Sequence, residues 1–182
     1  MIYIFLADGF EEMEAIAPID ILRRGGVDIK TVSVTEDKKV VGAHGIEVTC
    51  DLSSCEADTD NLEGIILPGG MPGTLNLEKS PLVQKYLDYA DSKKLLIAAI
   101  CAAPSVLGHK GLLTGKKATC FKGFEKDLQG ATVLTDKVVR DANIITSCGA
   151  GAAYDFGFMI LDYIKGNSEN SKEISASMRY SE

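Results

Sequence analysis

Five short apolar runs, separated by stretches with helical spacing, most constrain what this chain can fold into. They occupy residues 2–7, 29–34, 64–67, 95–100 and 143–146. A strand with one wet face alternates apolar and polar residues, whereas several of these runs are apolar throughout, the pattern of strands covered on both faces. Strands of that kind alternating with helices predict an α/β protein whose central sheet is mainly parallel. No repeat, low-complexity tract or break in composition divides the chain, so one domain is expected over residues 1–166. A polar segment follows at 167–182, to be read as a helix or a mobile tail.

Helix signals fall between the runs. Residues 11–24 place Glu11, Glu12 and Glu14 in the first turns and Arg23 and Arg24 in the last, before Gly25-Gly26, all in the sense the helix dipole favours. Ser80 and Pro81 read as N-cap and first helical residue, with Leu82, Val83, Tyr86 and Leu87 following. A further helix after Gly151 carries Phe156, Ile160, Leu161 and Ile164. Between residues 39 and 49 the pattern is that of a β-hairpin with its tip at Gly42 to Gly45.

Composition excludes several classes. A net charge of -7 with no basic cluster argues against nucleic acid and anionic membranes as partners. The N-terminal run meets Asp8, Glu11 and Glu12 too soon for a signal peptide or a membrane span, so a cytoplasmic location is expected. Five cysteines without a Cys-x-x-Cys pair fit a reducing compartment better than a disulfide framework or a zinc site. With only two histidines, His44 and His109, a metal centre is also poorly supplied.

The chemistry concentrates where the fourth run ends. Ile100 is followed by Cys101, then by Ala102-Ala103-Pro104, so a thiol is presented at a sharp strand-to-helix turn. Backbone N–H groups and the helix dipole there favour thiolate, while inert packing of a small side chain is the competing reading. In an open parallel sheet, loops at the carboxyl ends of the strands converge. That rule brings two further loops to Cys101. Glu14, about one turn into its helix, would point back toward the sulfur; protonated it would stabilise thiolate, ionised it would oppose it, and it also reads as a solvated first-turn acid. Gly69 and Gly70 follow the third run after Pro68, and the N–H groups of Gly70 and Ala102 would form an oxyanion hole. The first loop lacks Gly-x-Gly-x-x-Gly and holds acids where a phosphate would sit, which disfavours a nucleotide binder.

Five stretches in this order resemble the ThiJ/PfpI superfamily, in the branch of the parkinsonism-associated protein deglycase and its bacterial relatives. They are Leu6-Ala7-Asp8-Gly9-Phe10-Glu11-Glu12-Met13-Glu14, Pro18-Ile19-Asp20, Leu67-Pro68-Gly69-Gly70, Ala98-Ala99-Ile100-Cys101-Ala102-Ala103-Pro104 and Thr146-Ser147-Cys148-Gly149. The resemblance implies a flavodoxin-like three-layer sandwich with a nucleophile elbow of the class I glutamine amidotransferase kind, and a homodimer. It makes Cys101 the nucleophile and oxidation-sensitive thiol, with Glu14 as partner carboxyl. It implies a cofactor-free activity on small carbonyl substrates, either glutathione-independent conversion of α-oxoaldehydes to hydroxy acids or removal of early glycation adducts. The alternative is a redox-sensing or protective protein whose Cys101 becomes a sulfinic acid.

Two positions depart from that pattern. Many relatives carry a histidine directly after the cysteine or some twenty residues later, where this chain has Ala102 and the Thr119-Cys120-Phe121 loop. Cys148 stands where the branch often has arginine. His44 at the hairpin tip is a candidate replacement for the imidazole, and Cys120 and Cys148 are candidates to resolve an oxidised Cys101 or to serve as packing. His109 reads as a C-terminal helix residue favoured by the dipole.

Overall fold

The computed structural model describes residues 1–180. The first apolar run becomes β1 (Ile2–Leu6), buried at every position, and leads into α1 (Glu12–Arg24). Glu11 caps α1, its carboxylate accepting the Glu14 N–H at 2.8 Å. The chain continues through β2 (Ile29–Ser33), the hairpin β3 (Lys39–Val41) and β4 (Glu47–Thr49), and β5 (Gly64–Leu67). After β5 come α2 (Gly73–Lys79), α3 (Pro81–Lys93), β6 (Leu96–Ile100) and α4 (Pro104–His109). The remaining elements are β7 (Lys117–Ala118), β8 (Thr132–Val133), β9 (Val138–Asp141), β10 (Ile144–Ser147), α5 (Ala153–Lys165) and α6 (Glu169–Ser177). Two 3-10 turns, Glu125–Asp127 and Ala150–Ala152, complete the path.

The central sheet has the order β2-β1-β5-β6-β10-β9, parallel except for β9 at the edge. Side-chain alternation explains why β1, β5 and β6 carry only aliphatic and aromatic side chains. Ile2, Ile4 and Leu6 join Ile66 and Ile100 against Ile21 and Leu22 of α1 and Phe156 and Leu161 of α5. Tyr3 and Phe5 face the other way, with Leu67 and Ala99, onto Leu77 of α2, Tyr86 and Leu87 of α3, and Val106 of α4. Every position of β1, β5 and β6 is therefore buried, whereas the buried Thr146 and Ser147 of β10 are tolerated because Thr146 Oγ1 accepts the Thr119 N–H and Ser147 Oγ donates to the Lys137 carbonyl. The result is the expected three-layer flavodoxin-like α/β sandwich. The order in which strands are laid down reverses between β1 and β5, which run parallel, so loops from β1, β5, β6 and β10 open on one crevice at the carboxyl edge.

The expected strands and the 39–49 hairpin form within a residue or two of their predicted bounds. Ser80 caps α3 by accepting the Val83 N–H at 3.4 Å, with Pro81 at the first helical position. The polar C-terminal segment contains α6, which packs on α5; its last two residues, Ser181 and Glu182, lie outside the described residues. No helix among the described residues is long and apolar enough to cross a membrane.

Candidate active site

Cys101 sits where β6 turns into α4, with φ of 64°, the left-handed region that a non-glycine residue adopts only when its surroundings impose it. The surroundings are explicit. The Cys101 N–H donates to the Ser147 carbonyl at 2.8 Å, and the Cys101 carbonyl accepts the Phe121 N–H at 2.8 Å. The turn is thus gripped from β10 on one side and from the 119–128 loop on the other.

Glu14, 1% exposed, comes to the sulfur from α1. Its Oε2 accepts the Gly69 N–H at 2.9 Å, and the nearby Cys101 thiol and Ala150 N–H also favour its charged form. Gly69 is required for this approach: a Cβ there would stand 2.6 Å from Glu14 Oε2 and 2.7 Å from Cys101 Cβ. Gly70, with φ of 93°, turns its N–H to the sulfur, as does Ala102. The four residues expected to meet, Cys101, Glu14, Gly70 and Ala102, do meet.

The electrostatics correct one expectation. The turn does not hold Cys101 as a low-pKa thiol: burial, then the Glu14 carboxylate, push it up to about 12, against the pull of the Ala102 and Gly70 N–H groups. The helix that follows has only six residues, too few for a strong dipole to offset this. Burial also pushes Glu14 up to about 7, helped by the nearby Glu11 charge and opposed by its bonds to Cys101, Gly69 and Ala150. Each group raises or lowers the other, so the last proton belongs to the carboxyl and the sulfur together rather than to either one. Reactivity here is a property of the pair.

The other candidates lie around this centre. His44 does stand at the hairpin tip, but its Nδ1 lies 2.7 Å from Glu12 Oε2 and its own N–H donates to Glu12 Oε1 at 2.8 Å. Its imidazole is committed to that carboxylate, with the ring exposed. Glu11, Glu12 and His44 bring ligand atoms within 4.8 Å of one another. The Glu12 oxygens already serve the hairpin and a Glu11 oxygen caps α1, so the cluster fastens β3–β4 to the helix. Cys120 and Cys148 line one cavity of about 480 Å³ together with Phe121, Lys122 and Leu134. Burial first, then Glu125 and Asp127, push Cys120 up to about 11.

Sequence reasoning missed the Ala150 N–H donor, the Ser147 carbonyl and the Phe121 N–H. The small-residue run Gly149-Ala150-Gly151 after a strand is the one signal that marked the first of them.

Comparison with known proteins follows the same outline. The sequence profile of the DJ-1/PfpI family matches residues 1–163. Protein dj-1beta of Drosophila melanogaster is 35% identical over 91% of this chain and 90% of its own length. The Parkinson disease protein 7 homolog of Danio rerio is 31% identical over 90% and 88%. Protein DJ-1 homolog B of Arabidopsis thaliana is 37% identical over 93% of this chain, which spans 39% of that longer protein. Among solved structures, a mutant of a DJ-1 superfamily protein from Salmonella typhimurium superposes with a TM-score of 0.95 at 32% identity, covering 100% of this chain and 98% of the other. Oxidized Toxoplasma gondii DJ-1 gives a TM-score of 0.94 at 31% identity with the same coverage.

Proposed function

This chain belongs to the DJ-1/PfpI family, and from that premise we propose that it is a cysteine-dependent, cofactor-free enzyme acting on α-oxoaldehydes or on early glycation adducts derived from them. The observation that carries the reading is the buried Glu14 carboxyl, set against Cys101 across Gly69 and pushed up to about 7 by burial. A group with that value gives and takes protons at neutral pH, which is what an aldehyde-to-acid isomerisation demands.

With methylglyoxal, proton transfer from sulfur to Glu14 gives the thiolate, which adds to the aldehyde carbon and forms a C–S bond. The Gly70 and Ala102 N–H groups support the developing oxyanion, and Glu14 returns its proton to it, completing the hemithioacetal. Glu14, again a carboxylate, removes the former aldehyde proton, and an enediolate forms. Glu14 delivers that proton to the neighbouring carbon while the hydroxyl proton on the sulfur-bearing carbon passes to the neighbouring oxygen, giving the lactoyl thioester. Water cleaves that thioester, releasing lactate and restoring the thiol. The sum is methylglyoxal plus water to lactic acid, with no net redox change and no glutathione.

The test is lactate formation by purified protein without glutathione. Wild type should turn over, Cys101→Ser should lose turnover by at least ~10³-fold, and full activity in that variant would end the assignment.

A second reading has its own support. Cys101 is partly open to solvent, and the neighbouring carboxyl, once protonated, would donate to a sulfinate oxygen; a related Toxoplasma protein has been solved in an oxidized form. Mild peroxide followed by intact-mass measurement should then add two oxygens at Cys101, in a protein that makes little lactate.

We also propose a homodimer. Met13 and Ile16 on α1 are 54% and 45% exposed, and with Ala17 and Tyr154 they line a hollow of about 270 Å³. A second copy covering this apolar face accounts for it. Light scattering should give twice the chain mass for wild type and the single mass for Ile16→Glu.

A further inference from the structure

Three segments reach the Cys101 turn, and one imidazole ties their far ends together. α2 begins just after Gly70, and α4 carries the chain away from Cys101 and Ala102. The 119–128 loop reaches the turn through the Phe121 N–H. Away from the turn, His109, the last residue of α4, sets Nδ1 2.6 Å from Glu78 Oε1 of α2 and Nε2 3.4 Å from Asp127 Oδ1 of the 3-10 turn. Beside it, Gly108 lets α4 lie directly on that turn, since a Cβ there would collide with the backbone of Asp127 and Leu128. Neither mechanism above uses this cluster.

We propose that His109 is a positioning residue for the Cys101 site: donating through both ring nitrogens, it clamps α2, α4 and the 125–127 turn into one frame, and so keeps the Gly70 and Ala102 N–H groups on the sulfur. Both donations require the imidazolium. A neutral ring has one N–H and keeps only one of the two links.

The surrounding charges leave His109 as the clamp. Lys110, next in sequence, is turned to α3, 2.8 Å from Asp88 and 3.0 Å from the Gln84 oxygen. Glu125 accepts the Gly123 N–H. No other ion pair among the described residues engages Glu78 or Asp127. The hydrogen bond to Glu78, then Asp127, raises the imidazole above its ordinary 6.5 despite some burial. The clamp is therefore complete below about 6.5 and opens as pH rises through the raised value.

The inference rests on the enzymatic reading only in taking Cys101 as the reacting group, so its test avoids turnover. Backbone hydrogen exchange and Cys101 alkylation by iodoacetamide are compared for wild type, His109→Gln and His109→Arg, at about pH 6.5 and about pH 9. At the lower pH, His109→Gln should exchange about 3- to 10-fold faster in α2, α4 and the 119–128 loop together, and alkylate about 3-fold more slowly, because the donors on sulfur are misplaced. His109→Arg, which carries two donors and a permanent charge, should restore both at either pH. At the higher pH the wild type should approach His109→Gln. Faster exchange in α4 alone, faster alkylation through simple opening, or failure of arginine to restore would overturn the proposal. Wild type that makes no lactate yet shows both effects would remove the enzymatic reading and leave the clamp in place.

Discussion

Glu12 and Glu14 stand two residues apart on α1, 6% and 1% exposed, yet their carboxyls are driven in opposite directions. Burial alone raises both. Glu12 nevertheless ends below its ordinary 4.5, because the His44 imidazole and the His44 and Ile46 N–H groups all donate to it. Glu14 ends near 7 with two backbone donors, a thiol for its third partner, and Glu11 close by. The difference teaches that the balance between burial and donors decides whether a carboxyl works as structure or as chemistry: at Glu14 burial is the largest influence and outweighs the donors, whereas at Glu12 the hairpin donors outweigh burial. Glu12 is locked as an anion that holds a hairpin, and Glu14 is left able to exchange a proton.

The comparison breaks most visibly in turnover. Glu14→Gln should cut lactate formation by about 10²- to 10⁴-fold, the usual range for losing a general acid-base group, while Glu12→Gln should stay within about 3-fold of wild type. Equal losses in the two variants would mean that the carboxyls are not functionally distinct. Next in size is stability. Glu12→Ala removes the charged acceptor of the His44 and Ile46 N–H groups and should cost about 1–3 kcal/mol by urea denaturation, with the hairpin the first part to lose exchange protection. The third effect is a slope. Glu14 is raised in the folded state, so its contribution to stability is present below about 4.5 and is lost as pH rises to about 7; Glu12 is depressed, so its contribution is present above 4.5 and is lost as pH falls through its lowered value. Melting temperature against pH should therefore lose a falling limb in Glu14→Gln and a rising one in Glu12→Gln. The smallest change belongs to His44→Ala, which removes one of three donors from Glu12. It should shift the Glu12 titration upward, measured by carboxyl NMR, and leave Cys101 alkylation unaltered.

Parts of this contrast were readable in the chain and parts were not. The turn residues around Cys101 and the glycines after β5 are local signals, since each reflects what a backbone must do within a few residues. That Glu14 faces the thiol followed from topology, because a parallel sheet gathers its loops at one edge. The role of Glu12 did not follow, because its partner lies 32 residues away at the tip of a hairpin that could dock anywhere. β9 escaped notice for a related reason. Val138-Val139-Arg140-Asp141 is short and half-exposed, and pairing with β10 alone makes it a strand. α6 buries serines, Ser171 and Ser175, so no apolar stripe announces it.

The sequence by itself determined the layered α/β architecture, because burial on both faces forces an unbroken apolar strand and that pattern is visible in one dimension. It also determined that a thiol stands at a strand-to-helix turn beside glycines that admit close contact. The protonation of that thiol was decided only in three dimensions. A carboxyl is raised or lowered by groups within a few ångströms, and these come from α1, β5, β6 and the loop after β10, which only the packed sheet brings together.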